Sequence, residues 1–279
     1  MNPSRRVSGS GPILRPSEAS ELLPTHWITT PRPNPRASLR LILMADAGGS
    51  AATFRGWSDR LPTADVGIVQ LPGRGERLHE PFVLTVAEAA QSIADEVSAG
   101  AGNSTVLFGH GLGALIAFET ARRLAARHWP VLSLFVSGQS APSLGLMAPR
   151  VSDLPADEFV TQLRQRRHVL PATAIGDPDV LQMLLPVVRA DVAMAESYRY
   201  EPEPALGCPL IACDAAADPQ ASRTDVEGWK RETTGRFSIQ RFGGDRSYIQ
   251  REHEALTGLV RNHLSVMLGA LARSAPVPR

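Results

Sequence analysis

The residues that could do chemistry in this chain concentrate at one short stretch, Phe108-Gly109-His110-Gly111-Leu112-Gly113-Ala114. An apolar, β-prone run enters it, and a helix-forming run with apolar residues at helical spacing leaves it. The pattern predicts strand, tight turn, helix. That is the geometry of a nucleophile elbow, in which a G-x-S-x-G turn lifts a serine above the end of a sheet. Small residues stand two places to either side because strand and helix almost touch there. Here the central residue is Gly111, so the turn is kept and no hydroxyl stands at its apex. A dinucleotide-binding loop is the other use of glycines after a strand. Its third spacing fails at Ala114-Leu115, and no acidic residue stands in the right second strand. Other reactive side chains read as structural: His110 as a packed turn residue, Ser50 and Ser247 as hydrogen-bonding loop residues, Cys213 as a small buried residue. His253 falls a helical turn or more past the last loop, facing solvent or the packing surface of its helix.

The elements that must position this turn alternate. Strands are expected at 39–44, 66–70, 105–110 and 132–137, with helices at 85–98 and from the elbow to about 127. Alternation with short connections argues for a parallel sheet covered by helices on both faces. Residues 1–37 are rich in Pro, Arg and Ser and form an extension that wraps the surface or is partly disordered, with Trp27 and Ile28 pinning its end. The core then spans 38–150 and 201–279. Between them, 151–200 shows three helix-like segments, near 157–168, 179–185 and 187–198, and no strand-like run; such an insertion lies over the active face as a lid or covers the sheet edge. Strands resume at 208–213 and 236–242, with helices at 224–232 and 250–271. The loops at Asp46, Gly111, Asp218 and Asp245 all follow strands, at the carboxyl ends where parallel sheets bind ligands.

Composition narrows the class. The chain has 279 residues, 43% hydrophobic, with a formal net charge of +1, so nothing points to nucleic acid or an anionic membrane. Cys208 and Cys213 are too few for a disulfide framework and lack metal-ligand spacing, and a reducing cytoplasm is the simplest setting. No run is long enough to span a membrane, and the first twenty residues lack the apolar core of a signal peptide. No metal and no cofactor is implied.

With these motifs in order, the chain resembles the type II thioesterases, stand-alone α/β-hydrolase-fold enzymes that serve polyketide and nonribosomal peptide assembly lines. The likeness runs from about Trp27 to the C-terminus. It rests on Ala47-Gly48-Gly49-Ser50, Gln70-Leu71-Pro72-Gly73-Arg74-Gly75, Phe108-Gly109-His110, Leu185-Pro186-Val187-Val188-Arg189-Ala190-Asp191, Tyr198-Arg199-Tyr200 and Thr233-Thr234-Gly235. The resemblance implies an α/β-hydrolase fold and a helical lid. It places the family's serine on Gly111, its acid on Asp218, its histidine on Arg246, and the histidine before Ala-Gly-Gly-Ser on Asp46. A one-residue slip would put Asp245 at the histidine's place. Arginine keeps its proton near neutral pH, so it cannot relay one, and Asp218 with Arg246 reads as a fixed ion pair left over from the triad.

What survives without a serine is the backbone. In this fold the N–H of Leu112 and an N–H of the Asp46-Ala47 loop form the oxyanion hole, and glycine at 111 leaves room beside a bound carbonyl. Such a site suits an enolate, which points to proton abstraction next to a carbonyl: epimerisation, isomerisation or a related lyase step. The base is Asp46, Asp245 or a carboxylate of the substrate. This combination resembles the α/β-hydrolase-fold peptide epimerases of the bottromycin aspartate epimerase type and implies a modified peptide as substrate. Two alternatives stand beside it. One is an inert pseudo-thioesterase that binds a carrier protein or pathway product; the other is an unconventional, water-using type II thioesterase.

Overall fold

Leucine- and valine-rich runs separated by glycine turns form the sheet, as their pattern requires: β1 (Ile28–Thr29), β2 (Leu39–Met44), β3 (Asp65–Val69), β4 (Ser104–His110), β5 (Val131–Ser137), β6 (Leu210–Ala215) and β7 (Phe237–Phe242). The computed structural model describes residues 26–100, 104–145, 149–165, 177–216, 223–245 and 247–274. The strands lie in the order β1-β3-β2-β4-β5-β6-β7. All neighbours are parallel except β1, which pairs antiparallel with β3. This is the α/β architecture expected, with the elbow strand β4 at its middle.

Helices cover both faces, so successive residues of one strand point into different cores. Ile42, Leu107 and Leu134 pack with α2 (Val86–Ala99) and α3 (Leu112–Ala126). Their neighbours Leu41, Leu43, Phe108 and Phe135 pack with Trp57 of α1 (Trp57–Arg60) and with the closing helix. Burial on both sides explains why these strands read as continuous apolar runs without alternation. Thr85 caps α2 by accepting the Glu88 N–H at 3.1 Å, half of a capping box. Trp27 and Ile28 do pin the start of the described chain, through amides that donate to the Glu96 carboxylate at 2.6 and 3.3 Å. Residues 1–25 of the expected extension lie outside the described residues.

The helical excursion departs from expectation in its segmentation. It contains α4 (Ala156–Gln165) and one long helix, α5 (Pro178–Ser197), which runs through Pro186 instead of breaking there. An interior proline removes one hydrogen bond and costs about 3 kcal/mol, and burial of Val187, Val188, Val192 and Met194 beyond it continues the helix. Asp191, 1% exposed, receives two guanidinium bonds from Arg74, one of them 2.8 Å, and the Gly48 N–H at 2.7 Å. Val188 sits so close to Gly48 that a β-carbon there would lie 2.6 Å from its Cγ2. After α5 come α6 (Arg223–Glu227), which tightens into a 3₁₀ turn at Gly228–Glu232, then α7 (Tyr248–Arg251) and the closing helix α8 (His253–Ser274). β6 starts two residues later than the pattern suggested, because Pro209 has no N–H for the ladder. Among the described residues no helix is long and apolar enough to cross a membrane.

The tightest packing is where β4 turns into α3. A β-carbon on Gly109 would lie 2.0 Å from the Gly113 carbonyl oxygen, and one on Gly113 would lie 2.2 Å from the Met44 carbonyl oxygen. Both obstacles are backbone, which cannot rotate away. Gly113→Ala is expected to lower stability by about 3 kcal/mol, roughly 6–12 °C in melting temperature, although alanine is the better helix former. Gly258→Ala, whose β-carbon would meet only the Arg261 side chain at 3.9 Å, should be neutral or stabilising by up to about 1 kcal/mol. Thermal denaturation of both variants checks the pair. Arg74→Ala, which strands a buried carboxylate, should cost about 3–5 kcal/mol, and hydrogen exchange should quicken in α5 and at residues 45–50 before the rest of the sheet.

Candidate active site

β4 ends at His110 and α3 begins at Leu112, so the chain reverses within Gly111 alone, at φ 56° and ψ −122°. Glycine takes this φ freely, whereas a side chain there is held under strain. The Gly111 N–H donates to the Ser137 carbonyl at 2.8 Å, which ties the turn to the end of β5. The predicted elbow is therefore present with its sharp turn, and its apex has no side chain.

Beneath the turn His110 is buried and structural. Its Nδ1 lies 2.8 Å from Ser137 Oγ, Ser137 Oγ shares a short hydrogen bond with the Tyr248 hydroxyl, and that hydroxyl reaches the Cys213 carbonyl at 3.1 Å. With the tyrosine proton on the carbonyl, Ser137 donates to Tyr248 and His110 donates from Nδ1. The other candidates read as structural are so placed. Ser50 Oγ accepts the Ala52 N–H at 3.3 Å. Burial and the neighbouring Asp214 charge push the Cys213 thiol up to about 12, and burial pushes Cys208 up to about 11. His253 packs edge-on against Trp57, and burial, with the Arg60 charge added, lowers its pKa.

Two amides from different elements meet at one atom. Leu112 N–H and Ala47 N–H both donate to Asp46 Oδ1, at 2.9 and 2.8 Å. The turn that aims Ala47 is closed by the Gly49 N–H on the Asp46 carbonyl at 2.8 Å and needs the positive φ of Gly48, 76°. The two amides that the sequence assigns to an oxyanion hole therefore share one acceptor, the Asp46 carboxylate. The next amide, Gly48, holds the Asp191 carboxylate, so successive N–H groups of this loop bind two anions.

Asp245 follows β7, and its Oδ1 accepts the Ser247 N–H at 3.1 Å and the Ser247 hydroxyl at 2.5 Å. Asp218 and Arg246 lie outside the described residues.

Space around the elbow is uneven. On the β3 side a cavity of about 10 Å³ touches Asp46, Val69, Leu71 and Ile116, room for one water at most. On the β5 side a cavity of about 290 Å³ is lined by Leu115, Gln139, Ser140, Tyr198, Tyr200 and Arg150, near the lower limit of small-molecule sites. Tyr198 donates its hydroxyl to Glu119 at 2.8 Å, and burial with that carboxylate beside it raises its pKa far enough to keep the phenol neutral. No sequence signal pointed to the Glu119–Tyr198 contact or to Arg74–Asp191, because partners 79 and 117 residues apart carry no mark of their pairing in one sequence.

Residues 39–264 match the family model described as the thioesterase domain. The chain is 34% identical over 249 residues to the thioesterase PikA5 of Streptomyces venezuelae, covering 88% of this chain and 87% of that protein. It is 31% identical over 256 residues to the linear gramicidin dehydrogenase LgrE of Brevibacillus parabrevis, covering 90% and 97%. The solved structure of the type II thioesterase BorB from the borrelidin biosynthetic cluster aligns with a TM-score of 0.76 at 33% identity, over 86% of this chain and 98% of that one. With the elbow, the sheet order and these matches in agreement, the chain belongs to the thioesterase-domain family and has the α/β-hydrolase fold of the type II thioesterases.

Proposed function

We propose that this protein acts in natural-product biosynthesis on a thioester intermediate presented by a carrier protein, and that it does so without a covalent acyl-enzyme. One observation carries the reading: the elbow keeps its sharp turn and its inward amides, while the residue at its apex, Gly111, has nothing to attack with. The substrate class comes from the relatives, a thioesterase and a type II thioesterase of a biosynthetic cluster among them. Arg246, at the register of the family's histidine, keeps its proton and supports no relay. The attacking group is then water. Its oxygen adds to the thioester carbon, its proton passes to a carboxylate, and the departing thiolate takes that proton to leave free acid and free thiol. Asp46 is the carboxylate closest to where the carbonyl oxygen binds, and the helical insertion at 151–200 serves as the lid. The setting is the cytoplasm, with no metal, cofactor, nucleic acid or membrane involved.

A second reading is favoured by the same carboxylate. A base beside two oxyanion donors is what proton abstraction next to a carbonyl requires, so epimerisation or isomerisation of a modified peptide uses the same atoms.

Incubating the protein with acyl-thioesters on a carrier, in D2O, separates the outcomes. Thiol release with no acyl adduct on the protein by mass spectrometry is the expected result; an acylated protein would overturn it. Deuterium in recovered substrate without thiol release selects the second reading, and tight binding with neither selects an inert carrier-binding protein. Asp46→Asn should slow turnover by about 10²–10⁴-fold, whereas Asp245→Asn, already turned into its own loop, should change it less than about threefold. Equal losses in the two variants would remove Asp46 from the mechanism.

A further inference from the structure

We propose that Asp46 is a displaceable plug: the oxyanion hole of this protein is a carboxylate-binding site occupied at rest by the chain's own side chain. The inference rests on the functional reading above for its consequence and on hydrogen-bond geometry alone for its substance. Leu112 N–H and Ala47 N–H converge on Asp46 Oδ1 at 2.9 and 2.8 Å, distances normal for amides on an anionic oxygen. Neither amide has another acceptor to turn to. Leu112 is the first residue of α3, one of the N–H groups that a helix leaves unbonded, and Ala47 sits inside a tight turn closed by Gly49. The backbone contacts of Gly109 and Gly113 prevent α3 from shifting to aim Leu112 elsewhere. A carboxylate on the loop therefore meets two donors with fixed directions.

The class of ligand follows from the class of occupant. A hole that holds one carboxylate oxygen takes other carboxylates and oxyanions of similar size. A neutral thioester carbonyl competes poorly for it, because hydrogen bonds to a charged acceptor are about twice as strong as those to a neutral one. Entry of a carbonyl oxygen thus requires Asp46 to swing aside. The side chain that leaves becomes the carboxylate next to the bound carbonyl, so unplugging the hole and placing the base are one movement. The plug makes the empty protein silent toward small thioesters and reserves the hole for a ligand whose other contacts can drive the exchange.

Chemical rescue tests this with the protein alone and formate as the probe. Asp46→Ala removes the carboxylate and leaves both amides in place. Formate should raise the melting temperature of the variant by about 2–4 °C more than that of the wild type, and should shift the Leu112 and Ala47 amide resonances in Asp46→Ala only. Asp46→Asn keeps an acceptor oxygen and should respond like the wild type. Formate moving those amides equally in wild type and Asp46→Ala would show that the hole is open without any plug. Formate moving them in neither would show that the hole does not bind carboxylates. Both results overturn the proposal. No thioester enters the experiment, so the plug can fail while the functional reading stands, or hold while that reading fails.

Discussion

The site depends on one close approach, between the first turn of α3 and the carbonyls at the end of β2. Gly113 lies against the Met44 and Ala45 oxygens, where a β-carbon would come within 2.2 and 2.6 Å. Helix and strand can meet at that distance only because the side chain is missing. The same contact fixes how far α3 projects toward the Asp46 loop and brings Leu112 N–H to a carboxylate 66 residues away. Parallel pairing of β2 with β4 sets the two loops side by side at their carboxyl ends, and the glycine spacing sets the separation. Functional geometry here is a consequence of packing tolerances, with the reactive atoms contributed by backbone.

The second clamp on that loop comes from the helical insertion. Asp191 accepts three donors from two loops, so α5, the Pro72-Gly73-Arg74 turn and the Gly48 amide form one hydrogen-bonded unit. A buried ion pair of this kind contributes little net stability, since desolvation consumes most of the attraction, but losing either partner is costly. Its effect is positional: α5 cannot lift away intact without exposing a charge pair and releasing Gly48. Further back, Glu196 of α5 accepts the Val151 and Ser152 amides and Arg189 donates to the Leu154 carbonyl at 2.8 Å, which ties residues 151–154 to the same helix. The anchored end of α5 shapes the Asp46 loop through Gly48.

Much of this was legible in the residues. The strands around the elbow read almost to the residue because apolar runs buried on both faces and bounded by glycine turns have few other interpretations, and Gly109, Gly111 and Gly113 announced the turn. The pattern of the insertion is helical but breaks at Pro186, because a proline's local cost is visible in a sequence while the packing of Val188 and Val192 that carries the helix past it lies in tertiary structure. Asp46 was found as a loop-tip carboxylate and a candidate base. That Asp46 accepts both amides was not legible, because the partner of Leu112 N–H lies 66 residues away. Asp245, marked by its position after a strand, accepts the Ser247 N–H and hydroxyl, a contact that its spacing from Ser247 alone does not announce.

The filled hole also bears on why the hole persists. Two parallel amide donors without acceptors are a liability in any fold, costing about 1–3 kcal/mol for each buried group left unsatisfied. In this protein neither amide is free to re-aim: packing of α3 on β2 and β4 sets the direction of Leu112 N–H, and the turn closed by Gly49 on the Asp46 carbonyl sets that of Ala47. A chain with no side chain at the elbow still inherits the donors, and Asp46 satisfies them from within. Stability and chemistry therefore compete for the same two hydrogen bonds: the contacts that make Asp46 a good structural acceptor are those a substrate oxygen must win. A ligand oxygen that replaces Asp46 must therefore offer both amides an acceptor as strong as a carboxylate.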